Sequence, residues 1–123
     1  MNLALTPDAA RASAQAWCDA WNRRDLDAIM EHYAEDVAFS SPTVIRRWNI
    51  ADGWLHGRDR LRANFEIGPQ TPGLRFDLVD VLLGAGAMCV VYRRETGALV
   101  TDLVELDGHG RGRRVVACYG EAK

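Results

Sequence analysis

Residues 17–36, WCDAWNRRDLDAIMEHYAED, decide the fold because they hold the end of one amphipathic helix and the whole of the next. Working back from Trp21, larger apolar residues recur at spacings of four, three and four, which is one face of a helix of 3.6 residues per turn. Thr6-Pro7-Asp8 is typical of a helix start, with Thr6 as the N-cap and an acid in the first turn. The pattern predicts a first helix that runs to about Asn22 and buries Ala10, Ala14, Trp17 and Trp21.

A polar break at residues 22–24 separates this helix from a second one. Asp25 is placed to cap it, and its apolar residues follow the i, i+3, i+4, i+7 pattern as Leu26, Ile29, Met30 and Tyr33. The β-prone residues 37–40 then predict a short strand that ends at Ser41-Pro42.

Residues 43–56 have no clean period, and we interpret them as a long loop or lid with large side chains turned inward. A third helix is predicted over 57–66, followed by a breaker-rich turn at 68–73. The second half is predicted to form four strands joined by short glycine-containing turns. Such short connections indicate antiparallel hairpins. The predicted strands are 74–83, 87–94, 98–106 and 113–119.

Length and composition bound the class of protein. The chain has 123 residues, 48% of them hydrophobic, which suits one globular domain over 1–123 and leaves no room for a second. Helices followed by an antiparallel meander predict an α+β domain. The 15 basic and 17 acidic residues give a net charge of −2, so we expect no nucleic-acid partner.

The apolar stretches are far shorter than the ~20 residues of a membrane helix, so no membrane association is expected. Residues 1–8 lack the basic and apolar regions of an export signal, which favours a cytoplasmic location. Cys18, Cys89 and Cys118 are widely separated and odd in number, which is typical of reduced core thiols. Nucleotide and metal motifs are missing and the three histidines are dispersed, so we expect no metal and no cofactor.

The strand over residues 98–106 is the most informative for chemistry, because its side chains alternate between two faces. Val100, Asp102, Val104 and Leu106 share one face, which is apolar except for the carboxyl. Turned inward, Asp102 would be desolvated, which raises its pKa and favours a protonated acid that can donate a hydrogen bond. The alternative is that Asp102 pairs with Arg93, Arg94 or Arg114, or caps a buried backbone group.

Several aromatic and imidazole side chains are candidates for a pocket wall. Trp48 and Trp54 lie in the irregular stretch, where lining of an aromatic pocket competes with core packing. His56 is a candidate to face the cavity, whereas His32, near a helix end, is expected at the surface.

Three segments carry a family resemblance: residues 17–36, the helix from Gly57, and the closing strands over 102–120. They resemble the SnoaL-like branch of the NTF2-like superfamily, which includes ketosteroid isomerases and polyketide cyclases. The resemblance covers nearly the whole chain. It implies a cystatin-like cone in which three N-terminal helices pack on a curved antiparallel sheet, and a homodimer formed through the outer sheet face.

The resemblance also assigns roles. Asp102 matches the aspartic acid that ketosteroid isomerases keep protonated in their oxyanion hole. Trp17 stands where those isomerases have the oxyanion-hole tyrosine, and its indole N–H can still donate. Ser41 stands at the general-base position, and a serine cannot abstract a proton from carbon unaided. The superfamily hosts isomerases, cyclases, hydrolases and non-enzymatic binders, so the fold alone does not choose among them.

We therefore predict an enclosed apolar pocket with Asp102 at its depth. Its expected ligand is a small apolar or polycyclic molecule that bears a carbonyl group, with isomerase-like or cyclase-like chemistry. Asp102 and Trp17 would donate to an enolate-like oxygen, and His56 or a bound water would accept the proton. The alternative is a non-catalytic ligand-binding or dimerising accessory module, or a protein adaptor with an exposed apolar patch. The predicted ligand contacts are Tyr33, Phe39, Ser41, Trp48, Trp54 and Tyr119.

Overall fold

The first helix has the predicted bounds. A computed structural model describes residues 5–122. The expectation about an export signal concerns residues 1–8, and residues 1–4 of that segment lie outside the described residues. Helix α1 is Pro7–Asn22, and the Thr6 hydroxyl oxygen accepts a hydrogen bond from the Ala9 N–H at 3.1 Å. Its buried face is the predicted one, with Ala10, Ala14, Trp17 and Trp21, joined by Cys18 and Ala20.

The second helix is shorter than the sequence pattern suggests. Helix α2 is Leu26–Met30, and the Asp25 carboxylate accepts from the Ala28 N–H at 3.1 Å, as predicted. Tyr33 does not belong to it but begins strand β1, Tyr33–Ser40. Tyr33 pairs with Gly112 of the last strand, and this long-range pairing overrides the helical period.

The stretch expected to be a loop or lid is mostly regular. Residues Pro42–Trp48 form helix α3, and Trp54–His56 form strand β2, which pairs with β1. Ser41 caps α3 by accepting from the Thr43 N–H at 3.2 Å. Helix α4, Arg58–Phe65, follows where a helix was predicted, and a single 3₁₀ turn occupies Gly68–Gln70.

The remaining strands confirm the meander: β3 Phe76–Gly84, β4 Ala87–Arg94, β5 Leu99–Leu106 and β6 Gly112–Tyr119. The six strands form one sheet in the order β2-β1-β6-β5-β4-β3. All neighbours are antiparallel except β1 and β6, which are parallel. The α+β class, with helices packed on one face of a curved sheet, is confirmed.

Aromatic rings fill much of the space between helices and sheet. The Phe76 ring stacks on Trp21 at 4.9 Å and on Tyr92 at 4.8 Å between ring centroids. Trp17 contacts both Phe76 and Tyr92 edge-on, at 5.3 and 5.2 Å. The interior of the cone between these elements is therefore packed with rings rather than hollow.

Over residues 5–122, every helix falls short of the length and apolarity required to traverse a lipid bilayer. Within the same range, His, Cys, Asp and Glu side chains do not gather in groups of three or more that could hold a metal ion.

Candidate functional site around Asp102

Asp102 lies at the centre of β5 on the inner face of the sheet. Its direct cross-strand neighbours are Val90 on β4 and Ala117 on β6, and the residue is only 3% exposed. Val100 and Val104 share its face, as the alternation of residues predicts. The carboxyl group is thus enclosed by apolar side chains on both neighbouring strands and along its own.

One neighbouring polar group contacts this carboxyl. The Tyr92 hydroxyl donates a hydrogen bond to Asp102 Oδ1 at 3.0 Å. Burial raises the pKa of Asp102 from 3.8 to about 7, and the Tyr92 bond and the charge of Arg94 counter it only in part. A large fraction of the molecules therefore carries a protonated Asp102 at neutral pH.

The three arginines that are candidates to pair with Asp102 are engaged elsewhere. Arg94 pairs with Glu95 at 2.9 Å, and Arg114 pairs with Glu105 at 2.9 Å on the outer face. Arg93 donates to the Gly97 carbonyl at 2.9 Å. Within the described part of the chain, Asp102 forms no ion pair, so the structure decides between the two alternatives in favour of an uncompensated carboxyl.

A small cavity of about 30 Å³ lies against Asp102. Trp17 and Tyr33 line it, as predicted, and the Trp17 Nε1–H donates to the Tyr33 hydroxyl oxygen at 3.0 Å. Since Tyr33 accepts in this bond, its hydroxyl can still donate its own proton. Burial raises the pKa of Tyr33 well above its usual value, so that proton is retained. The space is large enough for a water molecule or a small group such as a carbonyl oxygen.

His32 lines the same cavity, although the sequence indicated a surface position for it. Burial lowers the pKa of His32, with the charge of Glu31 opposing, so its imidazole is neutral at pH 7 and can accept a proton. Its backbone carbonyl accepts from the Gly112 N–H at 2.8 Å, which fixes the start of β1 beside β6. No local pattern distinguishes His32 from His56, because this pairing spans eighty residues of sequence.

Trp54 and His56 lie on the opposite side of the sheet. His56 pairs with Ala38 and, through it, with Arg114, all on the outer face. The Arg114 guanidinium lies over the Trp54 ring at 4.8 Å from its centroid, and His56 is exposed. This placement corrects the expectation that both residues line the Asp102 pocket.

Trp48 and Phe39 also lie away from the Asp102 cavity. Trp48 is exposed at the end of α3, and its Nε1–H donates to the buried Asn64 Oδ1 at 3.0 Å. Phe39 is a core residue that packs edge-on against Phe65 at 5.3 Å. The single aromatic pocket predicted from the sequence is therefore divided in the structure.

Ser41 and Tyr119 lie at the far end of the sheet, where β1 and β6 end. Ser41 is 2% exposed, and its hydroxyl is engaged in capping α3. Tyr119 lines a second, larger cavity that shares no lining residue with the first. The structure thus brings Asp102, Trp17 and Tyr33 to one cavity, whose lining does not include Ser41, the residue that the resemblance puts at the general-base position.

Comparison with known proteins agrees with this architecture. No curated protein matches the chain. A SnoaL-like protein of unknown function from Burkholderia thailandensis superposes with a TM-score of 0.90 at 29% identity, covering 95% of this chain and 98% of that one. A protein with a cystatin-like fold from Methylobium petroleophilum gives a TM-score of 0.74 at 15% identity, with coverages of 98% and 82%.

An NTF2-like protein from Cytophaga hutchinsonii gives a TM-score of 0.67 at 14% identity, with coverages of 97% and 94%. The family model described as "SnoaL-like domain" matches residues 14–119. Because that match spans most of the sequence and the superpositions extend over the same elements, the chain belongs to the SnoaL-like domain family.

Proposed function

We propose that the protein binds a small, largely apolar molecule by a carbonyl oxygen at the Asp102 cavity, and that it catalyses an acid–base isomerisation or cyclisation there. The observation that carries this proposal is a buried carboxyl group that has no cationic partner among residues 5–122 and that faces free space. A carboxyl in such a site is kept partly neutral, which makes it a hydrogen-bond donor to developing negative charge. The cavity has room for the carbonyl group alone, so the rest of a polycyclic ligand would extend outside it.

In the proposed reaction, Asp102 and Tyr33 donate hydrogen bonds to the carbonyl oxygen. Trp17 positions the Tyr33 hydroxyl through its 3.0 Å bond. Neutral His32 removes a proton from the carbon next to the carbonyl, and the oxygen of the resulting enolate is held by the two donors. The imidazolium then returns the same proton to a different carbon, so the double bond moves and no co-reactant is consumed.

A panel of β,γ-unsaturated ketones of increasing size tests this mechanism. We expect Asp102→Asn and His32→Gln each to lower kcat by about a hundredfold or more, because each removes one donor or the base. His56→Gln is the matched control, since this imidazole is exposed on the outer face, and it should leave kcat unchanged. Absence of turnover by the parent protein across the panel would refute the isomerase proposal.

A non-catalytic ligand-binding role is the second candidate. It is favoured by Ser41, which the resemblance puts at the general-base position of the isomerases. Its hydroxyl oxygen instead accepts the hydrogen bond from the Thr43 N–H that caps α3. Quenching of tryptophan fluorescence by apolar ketones, followed by mass analysis of the recovered ligand, separates the two. Unchanged ligand favours the binding role, and converted ligand favours the enzyme.

We also propose that two copies associate through the outer sheet face. Leu82, Cys89, Leu103 and Val116 are direct cross-strand neighbours on β3 to β6, and we name these four residues the outer apolar row. Leu82 and Leu103 are 54% and 39% exposed in the single chain. A continuous apolar row across four strands is a feature of sheets that are covered by a partner.

A cytoplasmic location is proposed on the basis of the thiols. Cys18, Cys89 and Cys118 are all free in the structure, which suits a reducing compartment. Cell fractionation of a tagged chain provides the test, and recovery in the membrane or secreted fraction would contradict it.

A further inference from the structure

A second cavity, of about 400 Å³, lies at the end of the cone opposite the Asp102 cavity. It is bounded by α3, by the end of α4 and by the turn between β4 and β5. Its volume is within the range of small-molecule sites, whereas the Asp102 cavity is about a tenth of that size. The stacked rings of Trp17, Phe76 and Tyr92 belong to the core between the two spaces.

Rigid aromatic rings form one wall of this arginine cavity, as we name it. Trp21, Phe65 and Phe76 line it and are all buried. Trp21 stacks on Phe76 with an angle of 8° between planes, and Phe65 meets Trp21 edge-on at 5.1 Å. Because the rings hold one another in place, they offer a flat apolar surface to a ligand without a large ordering cost.

Guanidinium groups form the other side. Arg47 is positioned by the buried Asn64, since its Nη1 donates to the Asn64 backbone oxygen at 3.1 Å and to Oδ1 at 2.9 Å. Both acceptors are neutral, and within residues 5–122 neither Arg47 nor Arg46 forms an ion pair, so both keep their charge. Arg94 also lines the cavity, but Glu95 neutralises it through two hydrogen bonds.

These charges converge on the same space. Tyr119, Arg94 and Arg47 line the cavity together. Burial and the charge of Asp102 raise the pKa of Tyr119, and the positive charges of Arg94 and Arg47 oppose this rise. The guanidiniums therefore face the same space as the rings of Trp21, Phe65 and Phe76. Two positive charges without an ion-pair partner in the described part of the chain, beside buried rings, disfavour a cationic ligand and favour an anionic one.

We propose that the arginine cavity is a second binding site, which takes a small aromatic or cyclic carboxylate. The ring lies against Trp21 and Phe65, and the carboxylate is bound by Arg47 and Arg46. Arg47 is the main anchor because its guanidinium is already held in place and its Nε and Nη2 donors form no other hydrogen bond within the described residues. The site is separate from the Asp102 cavity, so it stands whether or not the proposed isomerase activity does.

Calorimetric titration with 1-naphthoate tests the proposal, with neutral 1-naphthamide and inorganic phosphate as comparison probes. Naphthoate should bind, and the amide should bind about tenfold or more weakly because it lacks the charge that the arginines recognise. Arg47→Gln should weaken naphthoate binding about tenfold or more. Arg46→Gln has no hydrogen bond within the described structure to lose, so it should fold normally and still weaken binding several-fold.

Arg111→Gln is the matched control. It removes the same single charge from an exposed turn at the opposite end of the sheet, and it should leave the affinity unchanged. Amide ¹H–¹⁵N shifts on adding naphthoate should map to Asn64, Thr96 and Gly120 rather than to Asp102.

Three results would overturn the proposal. These are equal binding of naphthoate and naphthamide, unchanged affinity in both Arg46→Gln and Arg47→Gln, and binding of phosphate without binding of naphthoate. Amide shifts confined to residues of the Asp102 cavity would also contradict the second site, but they would leave the isomerase proposal unaffected.

Discussion

The Asp102 carboxyl links burial to the pH dependence of stability. Its pKa is about 7 in the folded chain against 3.8 when solvated, so between these values the folded chain holds a proton that the unfolded chain releases. Its contribution to stability is therefore complete below about pH 4 and is lost as the pH rises through about 7. Asp102→Asn keeps the shape and the Tyr92 bond but does not titrate.

We expect the unfolding free energy of the parent, relative to Asp102→Asn, to fall by on the order of 4 kcal/mol between about pH 4 and pH 8. Denaturant titrations of both proteins across this range measure it. His32 acts with the opposite sign, because its lowered pKa gives stability that is lost as the pH falls, but it is present in both proteins and cancels. A difference that does not vary with pH would show that Asp102 is solvated or paired.

Trp17 and Trp21 offer a second comparison at the scale of single residues. Both are buried on α1, but the Trp17 Nε1–H bonds the Tyr33 hydroxyl, whereas the Trp21 Nε1–H has no partner within the described residues. Each substitution by Phe removes a similar volume. Trp17→Phe also loses a hydrogen bond, while Trp21→Phe removes an unsatisfied buried donor.

Trp17→Phe should therefore destabilise the fold by about 1–2 kcal/mol more than Trp21→Phe, as read from urea unfolding. An equal or larger loss for Trp21→Phe would mean that its N–H finds a partner in solution.

Among the elements, α2 depends most on its cap, because five residues are too few to sustain a helix alone. Asp25→Ala removes the acceptor for the Ala28 N–H and should cost about 1 kcal/mol of stability. Asp25→Asn keeps that acceptor and loses only the exposed contact with Arg23 at 3.4 Å, so it should lie close to the parent. Thermal melts that rank the two variants equally would assign the effect to charge rather than to capping.

The sequence predicts a helix or strand well when the residues that determine it all lie within that element. Thr6-Pro7 and Ser41-Pro42 are the same helix-start signal, but only the first precedes an apolar period. In α3 only Val44 is buried, while Ile45 and Trp48 are exposed. That helix is held by distant contacts from Arg47 and Trp48 to Asn64, which no local pattern contains.

The site shows the same division between local and long-range information. Period-two alternation placed Asp102 on the inner face, because that property belongs to one strand. Whether an arginine would neutralise it depended on the two neighbouring strands, β4 and β6, and on the turn after β4. The position of His32 beside the cavity depends on the parallel pairing of β1 with β6, and the outer position of His56 depends on the pairing of β2 with β1.

At the scale of the whole molecule, the aromatic core separates two cavities that differ in size and charge. One end has a cavity the size of a carbonyl group, lined by the buried Asp102, and the other has a larger cavity where Arg46 and Arg47 form no ion pair with another described residue. The outer sheet face is independent of both, since its side chains point away from the core. A dimer formed there would leave both cavities open to ligands.

Leu103→Lys tests that assembly. It places a charge at the centre of the outer apolar row, where burial against a second copy would desolvate it without a partner. We expect the parent to elute with the mass of a dimer in light-scattering chromatography and Leu103→Lys with that of a monomer. Ala16→Lys, which adds the same charge to the exposed face of α1, is the control and should remain dimeric. Because Leu103 is already 39% exposed in the single chain, its replacement should barely change the monomer fold, so a parent that is itself monomeric would leave the outer row uncovered and refute the dimer.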